Sequence, residues 1–365
     1  MAEYLNQTGL SYDDVLLVPQ YSELESRQDA DPTIQLLPGI CLRVPVISAN
    51  TDTVTESEMG IAMARSGGLG IIHRFMSIED EVAAVEAVKQ YTSQGGDSTT
   101  DDQGRLAVGA AIGVNDDVIE RTTALVNAGA DVIDIDIAHG HSRHALAAVR
   151  TIKGLGSNVL VIAGNVATAA GAEDLINAGA DAIKVGIGPG SVCKTRLVTG
   201  CGVPQLTALR EAYKVAGERH IPVIADGGIK HSGDIVKALA AGASAVMVAY
   251  LLQGTEESAS ILFYNNYQPH KRSRGVATVG AKNARLIERG IGIGRNASHY
   301  VAEGNESVVP FQGPVSMVLG QLLGGIQSGM SYCGARTIEE LREKSVFMMV
   351  TGLSQQESNP RVVAN

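Results

Sequence analysis

Asn127-Ala-Gly-Ala-Asp131-Val-Ile recurs as Asn177-Ala-Gly-Ala-Asp181-Ala-Ile and again, more loosely, as Ala240-Ala-Gly-Ala-Ser244-Ala-Val. Each copy ends a helical stretch (VIERTTALVNAG, GAEDLINAG, GDIVKALAAG) with glycine where a left-handed C-cap is wanted. Each then opens a short β-branched run: DVIDID, DAIKVGIG, SAVMVAY. A repeated helix–glycine–strand unit predicts parallel strands joined by right-handed crossovers.

Eight apolar runs of strand length lie along the chain: 44–50, 69–73, 106–113, 132–136, 159–164, 182–188, 222–228 and 245–250. Helical patterns separate most of them. Eight βα units predict a closed (β/α)8 TIM barrel. An open doubly-wound sheet is the alternative, and it requires a dinucleotide fingerprint after its first strand that this chain does not show. The domain expectation is one catalytic unit over 1–365. Residues 91–105 are polar and aperiodic and read as a linker between the second and third units. Residues 253–313 are long, rich in Gly, charge and amide, and read as a long, functional loop after strand eight.

Composition narrows the partners. A net charge of −10 disfavours a polyanion, and no Trp with 4 Phe and 10 Tyr disfavours base-stacking platforms, so no nucleic acid is expected. No apolar run is long enough for a membrane span, and the N-terminus has no signal-peptide pattern. Cys41, Cys193, Cys201 and Cys333 lack metal-clip spacing and fit free thiols in a cytoplasmic setting. Glycine, at 42 of 365 residues, is in excess, and backbone amides in glycine-rich turns bind small anions.

In a barrel the chemistry gathers at the C-terminal ends of the strands. Those ends carry Asn50 and Asp52, His73 and Arg74, Asp136, Asn165, Gly186 to Cys193, Asp226 to Gly228, and Tyr250. The sharpest feature is GIGPGSVCKTR (186–196). Its glycines allow a tight bend, Ser191 adds a hydroxyl, and Cys193 stands beside Lys194 and Arg196, whose charges favour a thiolate. A buried loop cysteine is the bland alternative. Asp226 suits ribose hydroxyls, or else caps the following helix. Asp134 and Asp136 share one strand face, with a ligand role expected at Asp136 and a partnered or solvated carboxylate at Asp134. His139, His141 and His144 read as loop histidines. Glu256-Glu257 is either a solvated pair or a cofactor contact.

LSYDDVLLVPQYS (10–22), TDTVTESEM (51–59), GGLGIIHR (67–74), IAHGHS (137–142), AGNVAT (163–168), GIGPGSVCKTR (186–196), IADGGIKHSGDIVKALAAGA (224–243), GTEES (254–258) and SGMSYCGA (328–335) together resemble the IMP dehydrogenase / GMP reductase family. The resemblance implies a homotetramer whose cysteine attacks C2 of a purine 5′-monophosphate while NAD or NADP exchanges hydride there. By position it implies Cys193 as nucleophile, Thr195 as its polar partner and Arg289 as a flap base within 274–313. It implies Asp136, Asn165 and Gly186 on the cofactor side. Ser191, Gly227, Gly228 and Tyr250 fall at the phosphate end, with Asp226 at the ribose. The carbonyls of Gly186, Gly188 and Cys193 resemble a potassium loop, completed by a neighbour's tail like Glu357-Ser358. The leading reading is IMP oxidation to XMP through a Cys193 thioimidate and hydrolysis. A GMP reductase-type reductive deamination and a weakly active nucleotide-binding paralogue are the alternatives. The linker at 91–105 stands where many members carry a CBS pair.

Overall fold

The computed structural model describes residues 5–358 except 6, 94, 115–116, 157, 276, 282 and 284–300. Eight parallel strands close a barrel: β1 (Val46–Ser48), β2 (Leu69–Ile72), β3 (Val108–Ile112), β4 (Val132–Asp136), β5 (Leu160–Val166), β6 (Ala182–Val185), β7 (Val223–Asp226) and β8 (Ala245–Val248). The last pairs with the first, Val248 opposite Ser48, so no edge is left open. All eight lie within the apolar runs, save that β5 continues to Val166. The repeated glycines end their helices as expected, with φ of +97° at Gly129, +108° at Gly179 and +114° at Gly242.

Helices alternate with the strands: α1 (Ser57–Arg65), α2 (Ile78–Lys89), α3 (Val118–Asn127), α4 (Arg143–Gly154), α5 (Ala169–Ala178), α6 (Gln205–Glu218), α7 (Ser232–Ala240) and α8 (Val315–Tyr332). The last follows a long excursion after β8 and packs against α7 and α1, completing the ring. No described helix is long and apolar enough to cross a membrane.

Strand alternation divides the core in two. Ile133, Ile135, Ile183, Val185, Val223 and Ala225 face the helices and join the outer cluster. Val132, Ala182 and Ile224 face inward with Ile47, Leu69, Ile71, Ile162 and Met247. Period two then puts Asp134, Asp136, Lys184 and Asp226 on the same inner face, nearer the C-terminal mouth. The inner cluster also contains Leu36, Leu37, Ile40 and Leu42, from a hairpin of Ile34–Leu37 with Ile40–Leu42. The hairpin's apolar side chains join one end of the barrel core and leave the carboxyl ends of the strands for chemistry. Val15–Leu17 pairs antiparallel with Phe347–Met349 and ties the two ends of the chain together.

Residues 91–105 form turns closed by bridges of Thr92 with Arg105 and Thr100 with Leu106. Within 253–313, read from sequence as a loop, lies a three-stranded antiparallel sheet: β9 (Leu262–Asn265), β10 (Gln268–Arg274) and β11 (Glu306–Pro310). The central strand is QPHKRSR, with no run of apolar side chains, and most residues of its two neighbours are exposed. Backbone ladders hold this sheet, and they leave no hydrophobic alternation to read.

Candidate active site

At the C-terminal mouth a cleft of ≈ 360 Å³ is lined by Asn50, Thr51, Arg74, Asp136, Asn165, Gly186, Gly188, Cys193, Thr195, Asp226, Gly227 and Glu303, among others. Larger hollows beside the sheet (≈ 560 Å³) and along the C-terminal helix (≈ 550 Å³) hold neither the cysteine nor the buried lysine described next.

The floor is ionic. Lys184 of β6 is fully buried, and its ammonium bonds Asp136 Oδ1 and stands 3.7 Å from both Asp134 Oδ2 and Asp226 Oδ2. An ammonium in a barrel interior is tolerable only when paired. Burial works against its charge, but the three carboxylates outweigh this and raise its pKa. Asp136 is pushed up by burial and pulled further down by Lys184 and Arg74, ending below the usual carboxylate range. Burial prevails at Asp226, which ends raised despite Lys184 and the Asn165 amide. Asp134 is the partnered interior carboxylate expected of it, and burial pushes it up to about 7.

Asn165 ties the floor to the loop above, its Nδ2 donating to Asp226 Oδ2 at 2.7 Å and to Gly186 O at 2.9 Å. Gly186 is required where it stands, because a Cβ there would lie 2.0 Å from Asp226 O. Gln205 of α6 donates to Val185 O and Asp226 O and holds the ends of β6 and β7 side by side.

The cysteine sits on the wall. Cys193 Sγ lies 3.2 Å from Thr195 Oγ1, and that hydroxyl donates to Glu303 Oε2 at 2.7 Å. Backbone bonds fix the approach of the distant segment: Lys194 N donates to Glu303 O, and Asn305 N to Val192 O. Arg196, expected beside the thiol, instead donates to the carbonyls of Ile187 and Val203 and braces the loop. Thr195 is therefore the thiol's polar neighbour.

Not every expected residue enters the cleft lining. Ser191 is exposed, Gly228 lies just behind Gly227, and Tyr250 is 45% exposed; none of the three lines it. Arg289 lies outside the described residues, as do 276, 282 and the rest of 284–300 within the expected flap. Glu257 Oε2 accepts from Val315 N at the start of α8, and the Glu256 carbonyl accepts from Lys271, so the pair has structural partners. His141 pairs with Asp174 at 2.8 Å, and among the described residues no His/Cys/Asp/Glu group could hold a metal.

Sequence reasoning missed two residues. Lys184 carries a faint signal, a lysine at an inward position of an apolar strand. Glu303 carries none, since it reaches Thr195 across 108 positions from an aperiodic stretch.

A model of the IMP dehydrogenase / GMP reductase domain matches residues 9–361. An inosine-5′-monophosphate dehydrogenase of Cryptosporidium parvum is 44% identical, covering 96% of this chain and 94% of the relative. A GMP reductase of Leishmania major is 35% identical, covering 96% of each. Among solved structures, a variant GMP reductase from Trypanosoma brucei in complex with guanosine 5′-monophosphate superposes with a TM-score of 0.92 at 34% identity, covering 98% of both chains.

Proposed function

We propose, from the premise that this chain belongs to the IMP dehydrogenase / GMP reductase family, that it oxidises C2 of a purine 5′-monophosphate of the IMP type. Membership makes it an NAD(P)-dependent oxidoreductase of that kind. The observation that carries the finer reading is the chain of contacts from Cys193 Sγ through Thr195 Oγ1 to Glu303 Oε2.

The steps follow from that geometry. The Thr195 hydroxyl accepts from the thiol and donates to the Glu303 carboxylate, a path by which the sulfur's proton leaves as the sulfur bonds C2. A bound nicotinamide would supply the acceptor for the hydride that leaves C2. Once Glu303 has released that proton to solvent, water adds to the thioimidate, its proton passing through Thr195 to Glu303, and as the S–C2 bond breaks the sulfur takes this proton back to return the thiol. In this reading Thr195 and Glu303 act as the base and Arg289 within the flap 274–313 assists. Asp226 and the glycine turn at 227–228 hold ribose and phosphate, with Ser191 and Tyr250 at the phosphate end. Asp136 faces the cofactor.

The cleft suits a carboxamide. Asn165 Oδ1 and Asn50 Nδ2 are buried there without a hydrogen-bond partner, and they match a group that offers both an N–H and a carbonyl oxygen. The Gly186 carbonyl accepts one hydrogen bond from Asn165 and keeps its second lone pair, and Gly186, Gly188 and Cys193 are the residues that would hold a potassium ion.

We read 1–365 as one cytoplasmic catalytic unit, with 91–105 as linker and a homotetramer as its assembly. A GMP reductase-type reaction is the second reading, favoured by the likeness to the Trypanosoma enzyme. The same Thr195–Glu303 pair would then protonate departing ammonia. Incubation with IMP plus NAD+, and separately with GMP plus NADPH, decides by nicotinamide absorbance. Reduced cofactor forming with IMP supports the leading reading, and cofactor consumed with GMP replaces it with the second. Nucleotide binding without turnover in either mixture would overturn both.

A further inference from the structure

Lys184 touches neither the cysteine nor the Thr195–Glu303 pair, yet a fully buried ammonium is costly to place. Its side chain is completely buried, and three carboxylates from two other strands converge on it. Two of them, Asp136 and Asp226, line the cleft. The third, Asp134, lies deeper on the same face of β4, fully buried, and its partner is the Lys184 ammonium at 3.7 Å. Left alone, Asp136 and Asp226 would repel one another across the mouth. A lysine stem is flexible, and an ammonium has no fixed direction of its own. Something below must keep it central.

We propose that Lys184 is a positioning residue: its ammonium, anchored from below by Asp134, bridges Asp136 and Asp226 and holds both carboxylates at the cleft. Asn165 secures Asp226 from the other side, whereas Asp136 bonds the Lys184 ammonium directly and has Arg74 as its other cation, so the Lys184 contact is the closer of the two at Asp136. The charged groups facing Asp134 are Lys184 from β6, Asp136 on its own strand and Asp226 from β7. Its register neighbours on β3 and β5, Ala111 and Ile162, carry no charge. Ionisation of Asp134 therefore strengthens the anchor beneath Lys184 and fixes the ammonium between the upper pair. What the two carboxylates touch rests on the proposed reaction, but how they are held does not.

The test is Lys184→Met, read by crystal structure, by thermal-shift binding of IMP and GMP, and by separate kcat and KM. The Asp136 carboxylate is expected to turn away from Asp226, with KM for nucleotide or cofactor rising about tenfold or more. Lys184→Arg is expected to restore part of the loss. Unmoved carboxylates with unchanged binding would overturn the proposal, even if the melting temperature falls. Should Lys184→Met not fold, Asp134→Asn keeps the shape without the titration. It is expected to flatten the pH dependence of KM around neutrality, and an unaltered profile would overturn the anchor. A wild-type protein that binds neither nucleotide would refute the proposed function, while the Lys184→Met structure would still judge the positioning.

Discussion

Thr195 and Glu303 meet through a 2.7 Å hydrogen bond between side chains 108 positions apart, and the same threonine hydroxyl lies 3.2 Å from Cys193 Sγ. A hydroxyl has one proton to give and two lone pairs. With its proton on Glu303, it presents a lone pair to the thiol. The pair therefore couples the Cys193 thiol to a carboxylate that local sequence would never place beside it, as the proposed mechanism requires.

Replacing the proposed nucleophile isolates the proposed covalent step. Cys193→Ala is expected to abolish turnover while nucleotide binding survives, since the Asp226 and glycine-turn contacts are untouched. Steady-state rates and thermal-shift titration check this, and undiminished turnover would eliminate the thioimidate route.

Glu303→Gln keeps the hydrogen bond to Thr195 but removes the basic oxygen. A positioned general base contributes on the order of 10²–10⁴-fold. A kcat loss in that range is expected with little change in KM. If kcat stays within a factor of about two, the proton leaves by another path.

Gly186→Ala would place a methyl group 2.0 Å from the Asp226 carbonyl and 3.1 Å from Gln205 Nε2. The ends of β6 and β7 must then part. Overpacking of this kind costs about 1–3 kcal/mol or more. The expected result is a melting temperature lowered by several degrees and nucleotide binding lost together.

Lys89 anchors the turn-rich segment after α2, bonding Asp101 at 2.9 Å, Asp131 at 2.8 Å and the Leu106 carbonyl. Both its carboxylate partners are largely buried, so Lys89→Met should cost about 3–5 kcal/mol, measured by denaturant unfolding. At Asp101 burial pushes the carboxyl up, but the donors of Lys89 and Arg105 outweigh it and hold it down at about 2. A depressed carboxylate contributes stability above its unfolded value and loses it as pH falls toward the folded one. The wild type should therefore lose stability from about pH 4 down to about pH 2, and Asp101→Asn should flatten that slope.

Legibility differed sharply between the barrel and its excursion. Each barrel strand is a short apolar run with two buried faces, so β4 and β6 are visible from residues 132–136 and 182–185 alone. The sheet of β9 to β11 is mostly exposed, and its central strand QPHKRSR looks like loop. Asp136, Asn165, Cys193, Thr195 and Asp226 could be named from their places at strand ends. Tyr250 and Ser191 could be named too, but their side chains lie outside the cleft lining.

By itself the sequence determined the eight strands, the left-handed helix ends and the cysteine loop, because these depend on neighbours a few positions apart. Backbone sterics and hydrophobic period act over that range. Only the tertiary structure decided which charges meet. Lys184 gathers carboxylates from β4 and β7 because barrel closure points their inward positions at one axis. Glu303 reaches Thr195 because the segment before β11 lies back over the cysteine loop. Such contacts arise from chain closure between distant segments, and no local pattern of residue types encodes them.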